Sequence, residues 1–156
     1  LHFGTATIRG RFGPVNGAVT IDREAGRGEI GLRIATATVS TGVRVLDARL
    51  REPDLLDSAG SPEAFFVATK LRFEGRSLAE LRGEFTLRGT SQPLTLRAMR
   101  FGCRDDSATA EEVCGGDFEG EIKRSDFGAT FGLPFIADAV RLQVQVEGRR
   151  PIRPKD

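Results

Sequence analysis

The side chains in this sequence that invite a chemical reading are two cysteines, one histidine and a group of carboxylates. Cys103 and Cys114 flank a polar stretch. A zinc site usually needs four ligands, often as close cysteine pairs, and His2 is the only histidine. A metal site is therefore not expected. A disulfide between Cys103 and Cys114, closing a surface loop, fits better, with two unrelated thiols as the alternative. A disulfide would imply an oxidising compartment such as a periplasm. A nucleophile–histidine pair would have to use His2, two residues from the start, a poor place for a rigid general base. Asp105, Asp106, Glu111, Glu112 and Asp117 gather around the cysteine-bounded stretch without the spacing of an EF-hand, so they read as a solvated loop. Gly26 to Gly31 matches G-x-G-x-x-G but opens a strand, not a helix, and reads as a hairpin turn. Asp126-Phe127-Gly128 is like a kinase metal motif in a chain without the other kinase motifs. No catalytic residue, metal ligand or cofactor is expected.

Composition narrows the classes further. The chain has 156 residues, enough for one domain with a single core. Apolar residues are 39% and charged residues 29%, so it can fold. A formal net charge of +1 argues against broad electrostatic binding of nucleic acid. There are 11 Phe with no Trp and no Tyr, so all the aromatic surface lacks a polar handle. It must be buried or meet something greasy. The longest apolar run, Ala64 to Ala68, is too short to span a bilayer. No charged segment leads into an apolar one at the start, so any signal peptide is expected to be already removed.

Period-two alternation dominates and specifies half-buried antiparallel strands. Ala6, Ile8, Gly10 and Phe12 form one such set, and Val15, Gly17, Val19 and Ile21 the next. Ile30, Leu32 and Ile34 follow, then Phe65, Val67, Thr69, Leu71 and Phe73. Leu81, Phe85 and Leu87, then Leu94, Leu96 and Ala98, continue the pattern. Phe118 with Ile122, and Val140, Leu142, Val144 and Val146, complete it. Val43 to Arg51 breaks the rhythm as a short helix with Leu46 and Leu50 at i, i+4, stopped by Pro53. About eight strands with one apolar face each make a two-sheet sandwich or a closed barrel. Gly10, Gly17, Gly83 and Gly120 lie on the apolar faces. They either leave space for a lined cavity or relieve bends and bulges.

Several segments, taken together and in order, resemble one family. His2-Phe3-Gly4 through Gly10-Arg11-Phe12 resembles the early H-x-G-x-x-x-x-x-G-x-F stretch of the YceI-like proteins. Asp47 to Asp57, Phe85 to Leu96, and Arg124-Ser125-Asp126-Phe127-Gly128 are similar to further segments of that family, and Asp138 to Glu147 to its last strand. The departures are Arg49 and Arg88 at or beside places where the family often has His, Leu55-Leu56 for a Phe pair, and the Cys103 to Cys114 loop. Family members normally begin with another strand before the His2 segment; a barrel without it would have an open edge.

The resemblance implies an all-β, lipocalin-like antiparallel barrel; with the short helix it makes a single domain over 1–148, and the polar, Pro-bearing 149–156 reads as a loose tail. It implies a bacterial periplasmic protein that holds a long apolar ligand without catalysis: a polyisoprenoid, an isoprenoid quinone or a fatty-acid derivative. No nucleic acid and no stable membrane insertion are expected as partners, and a homodimer stays open. The candidate lining residues are Ile8, Phe12, Ile21, Leu32, Ile34, Phe85, Leu96, Phe118 and Val144, with Phe127, Phe131 and Phe135 lining the barrel or plugging one end. Leu46 to Leu56 is the candidate lid, with Leu46 and Leu50 as further ligand-binding candidates, and Arg49 or Arg51 is the candidate contact for a polar head. The alternative is an interaction module whose barrel is packed shut.

Overall fold

The computed structural model describes residues 9–13, 15–22 and 27–152. Seven strands form one sheet in sequence order: β1 (Asn16–Asp22), β2 (Arg27–Ala35), β3 (Glu63–Glu74), β4 (Ser77–Leu87), β5 (Thr90–Asp106), β6 (Glu111–Lys123) and β7 (Ala139–Pro151). Every neighbouring pair is antiparallel. The sheet curls into a half-barrel, with β1 and β7 as its two described edges running in the same direction. The expected strand before β1 falls mostly on residues outside the described set. Arg11 makes a single bridge to Ser40 there, each backbone N–H donating to the other's carbonyl at 2.8 Å. β7 runs to Pro151, opposite Glu111, so the strand continues past residue 148, where a loose tail was expected.

Alternation does what the sequence asks of it in most strands. Ile30 and Leu32 of β2, Leu81, Phe85 and Leu87 of β4, Leu94 and Leu96 of β5, and Phe118 and Ile122 of β6 are buried in one cluster on the concave face. β3 departs from the expected parity. Ala64, Phe66 and Ala68 point into the core, while Phe65 and Val67 face solvent on the convex side. A register shift between Ala68 and Lys70 flips the strand, so that Leu71 and Phe73 turn inward beyond it. One extra residue in a strand moves every later side chain to the other face.

The connections alternate between two ends of the sheet. At one end lie the segment between β2 and β3, the Arg88-Gly89 turn and the segment between β6 and β7. Helix α1 (Arg44–Leu50) sits in the first of these, at the place the Leu46/Leu50 spacing predicts. It follows Val43 and stops at Arg51, just before Pro53. Arg88 and Gly89 both have positive φ, 56° and 72°, with Leu87 paired to Thr90, as a two-residue hairpin whose twist matches its strands requires. At the other end, β5 and β6 run on as a long hairpin closed by residues 107–110. Cys103 and Cys114 form a disulfide there. They stand directly opposite each other inside the ladder, so residues 104–106 and 111–113 are paired strand, and the solvated loop expected shrinks to the turn at 107–110.

Candidate functional site

The concave face is the place where the candidate lining residues meet. Leu32, Phe85, Leu96, Phe118 and Phe127 are buried in its cluster, and Ile34 and Val144 pack against it half-exposed. Phe127 closes one end with its ring edge-on to Phe85, centroids 5.5 Å apart. Phe66, Leu81, Leu94, Phe101, Leu142 and Val146 belong to the same face and were not among the candidates. Phe66 was hidden by the β3 bulge. Phe101 was hidden likewise by the register shift between Ala98 and Arg100, while Leu81, Leu94, Leu142 and Val146 share the alternation already read and differ from the chosen ones in no residue-type signal.

Three candidates lie elsewhere. Phe12 is 36% exposed, and Leu46 and Leu50 are half-buried on α1 rather than in the core cluster. Ile8 lies outside the described residues, as does the side chain of Ile21 on β1. Of the further phenylalanines, Phe131 is 43% exposed under the Arg49 guanidinium, 3.9 Å from its ring centroid, and Phe135 is 67% exposed.

The interior is largely filled with side chains. A Cβ on Gly120 would come within 2.7 Å of Leu96 Cδ2 and 2.8 Å of the Thr95 carbonyl oxygen. A Cβ on Gly83 would run into the Val67 carbonyl. These glycines admit close strand contact; they do not open space. Among the described residues, the concave face is reached at the β1–β7 seam. A cleft of about 300 Å³ lies there, lined by Val15, Gly17, Val19, Leu32, Val146 and the polar Asn16, Gln145 and Glu147. Val19 stands opposite Ile30 on the concave side yet is 44% exposed, because β1 is an edge. A second, shallower groove of about 440 Å³ lies on the convex face around Phe65, with Arg33, Glu63 and Thr86.

The capped end is held by arginines on backbone oxygens. Arg88 donates to the carbonyls of Phe127 at 3.0 Å and Leu55 at 2.7 Å, and also to that of Pro53. Arg124, buried, donates to four carbonyls, of Ala129, Phe131, Ile136 and Ala137, at 2.7–2.9 Å. Arg49 is engaged bidentately by Asp54 at 2.6 and 2.7 Å and reaches Glu52 at 2.9 Å. Arg51 donates to the Ala37 carbonyl at 3.2 Å. The two residues considered for a polar head are thus already occupied. Asp138 receives the Ser125 hydroxyl at 2.5 Å and its backbone N–H at 2.8 Å, and these bonds hold its carboxyl below the ordinary 3.8. The Thr41 hydroxyl does the same for Asp47, and Arg49 for Asp54. Among the described residues the buried titratable side chains are Glu80 and Arg124. Glu80 lies beneath Arg72, Arg82 and Arg97, with Arg82 the main cause of its lowered pKa.

Residues 1–148 match the YceI-like domain. The chain belongs to the YceI-like family. It is similar to Protein YceI of Salmonella arizonae and of Salmonella enteritidis, in each case 32% identical over 148 residues, 94% of this chain and 76% of the relative. Its fold is that of the Campylobacter jejuni YCEI protein, with a TM-score of 0.80 at 21% identity over 97% of this chain and 90% of the other. Burkholderia cenocepacia BcnA has the same fold, with a TM-score of 0.73 at 20% identity over 93% and 90%. These YceI-like relatives are bacterial. No helix among the described residues is long and apolar enough to cross a membrane.

Proposed function

We propose that this YceI-like chain is a non-enzymatic periplasmic protein that sequesters or carries a long apolar ligand, a polyisoprenoid, an isoprenoid quinone or a fatty-acid derivative. A single domain over 1–148 would do so. The observation that carries the reading is the apolar concave face that, among the described residues, opens at the β1–β7 seam, where Val19, Val146 and Leu32 line the cleft. A hydrocarbon chain laid there leaves water at about 0.8 kcal/mol per buried CH₂. The buried charges support binding over chemistry: Arg124 is spent on carbonyls and Glu80 on convex-face arginines.

A second reading, a packed interaction module, draws on the filled centre, with Leu96 lying over Gly120. Native mass spectrometry of the gently purified chain separates the two. A co-purifying lipid, or uptake of fluorescent prenyl or acyl probes that Val146→Arg weakens at least about tenfold, is the expected result; the charge would have to be desolvated beside the chain. A ligand-free protein that refuses both probes overturns it.

A further inference from the structure

We propose that reduction of the Cys103–Cys114 disulfide converts the β5–β6 hairpin into a site for a soft divalent cation such as Zn²⁺, with Glu112 as its third protein ligand. Cys103 Sγ, Cys114 Sγ and a Glu112 carboxylate oxygen lie within 4.8 Å of one another. Ligand atoms bound to one tetrahedral zinc, at about 2.3 Å for sulfur and 2.0–2.2 Å for oxygen, are themselves roughly 3.5–4 Å apart. The three groups therefore need only small side-chain rotations once the S–S bond is gone.

The ladder explains why the thiols would stay together. Cys103 pairs with Cys114 and Asp105 with Glu112, a two-by-two block on one face of adjacent strands. That face is the concave one: Phe101, opposite Gly116, packs on the core, and Cys103 and Asp105 follow it at i+2 and i+4. Backbone pairing on either side of the Cys103–Cys114 rung, at Gly102–Gly115 and Arg104–Val113, does not depend on the sulfur bond. Asp105 holds the fourth corner of the block, so it or a water completes a tetrahedron.

Charge fits as well. Arg150 donates to Glu112 Oε1 at 3.0 Å, which neutralises that carboxylate while the disulfide is closed. Two thiolates and Glu112 carry three negative charges against one from Arg150, leaving two for a divalent ion. Thiolate sulfur selects zinc-like ions over magnesium or calcium.

The step balances with an external dithiol as reductant. One of its thiolates attacks a cysteine sulfur, and its second thiol resolves the mixed disulfide. The dithiol leaves as its own disulfide, having delivered two electrons and two protons that appear as the Cys103 and Cys114 thiols. The cation then displaces those two protons to solvent.

The test uses the full chain reduced with dithiothreitol, desalted without oxygen, and titrated with Co²⁺ and Zn²⁺. The expected result is one ion per chain, with a cobalt–thiolate charge-transfer band, in the reduced protein and none in the oxidised protein. Glu112→Gln weakens binding at least about tenfold, and the Cys103→Ser/Cys114→Ser double variant abolishes the band. Bound Zn²⁺ slows alkylation of both thiols at least about tenfold. Equal binding by oxidised and reduced protein, indifference to Glu112→Gln, or loss of the strand signal in circular dichroism on reduction each overturns the proposal.

Discussion

The two ends of the half-barrel solve the same problem by different means. At the capped end the chain leaves the sheet through residues 36–62 and 124–138, with only α1 and two short 3-10 turns as regular structure, and most of its backbone oxygens have no ladder to join. Arginine side chains supply the donors: Arg124 to four carbonyls, Arg88 to three, Arg51 to one. At the hairpin end β5 and β6 satisfy each other's backbone groups directly, and one disulfide plus exposed ion pairs such as Arg149–Asp106 at 3.5 Å are added on top. Buried backbone polar groups must be paired, so where regular structure stops, side chains carry stability that strands would otherwise provide. The ends should therefore respond very differently to the loss of a single side chain.

The sharpest break is Arg124→Ala. It strands four carbonyl oxygens and removes a buried cation whose every partner is backbone, and should cost roughly 3–4 kcal/mol in urea unfolding. Arg124→Lys keeps the charge but cannot span the same four oxygens, and should recover less than half. Arg49→Ala, at an exposed bidentate pair with Asp54, should cost under about 1 kcal/mol. A loss below about 1 kcal/mol for Arg124→Ala would mean that the segment between β6 and β7 holds itself.

At the hairpin end the Cys103→Ser/Cys114→Ser variant should cost about 2–3 kcal/mol, from the loop-closure entropy of a sequence separation of 11. The ladder survives in the folded state, so the change acts mostly on the unfolded chain. Hydrogen exchange of the folded protein should then show the amides of β5 and β6 still protected. If those amides lose protection under native conditions, the disulfide and not the ladder holds the hairpin.

What could be read from residue types divides along the same line. Strands announce themselves because alternation is a statement about every second residue, and Ile30, Leu32, Phe85, Leu96 and Phe118 all fell on the face it assigned. α1 was legible from Leu46, Leu50 and Pro53. The cysteine pair was legible as a bond but not as a ladder position, because pairing register is set by neighbours far along the chain. The bulge before Lys70 leaves no mark in residue type, so Phe65 and Phe66 exchanged faces. The roles of Arg88 and Arg124 left no mark in residue type, since their partners are carbonyls that any residue carries. The seam was equally hidden: Val19 at an edge and Ile30 at a centre look alike until the strands are ordered.

The smallest effect expected is on acidification, and it should again divide the ends. Asp47, Asp54 and Asp138 at the cap all have pKa values lowered from 3.8, by Thr41, Arg49 and Ser125 respectively. At the hairpin end Asp106 is lowered by the Ala108 backbone N–H. A carboxyl that holds its proton less tightly when folded stabilises the fold at pH above its unfolded value of 3.8. That contribution is lost as pH falls from there through the lowered folded value. Among the described residues, three such groups at the cap against one at the hairpin mean that protection of residues 124–138 should fall first below about pH 3.8, before that of the paired core of β5 and β6. Asp138→Asn should flatten that pH dependence for the cap, because the amide keeps one acceptor for Ser125 but no longer titrates. Parallel loss at both ends, unchanged by Asp138→Asn, would show that the cap and the ladder open as one cooperative unit.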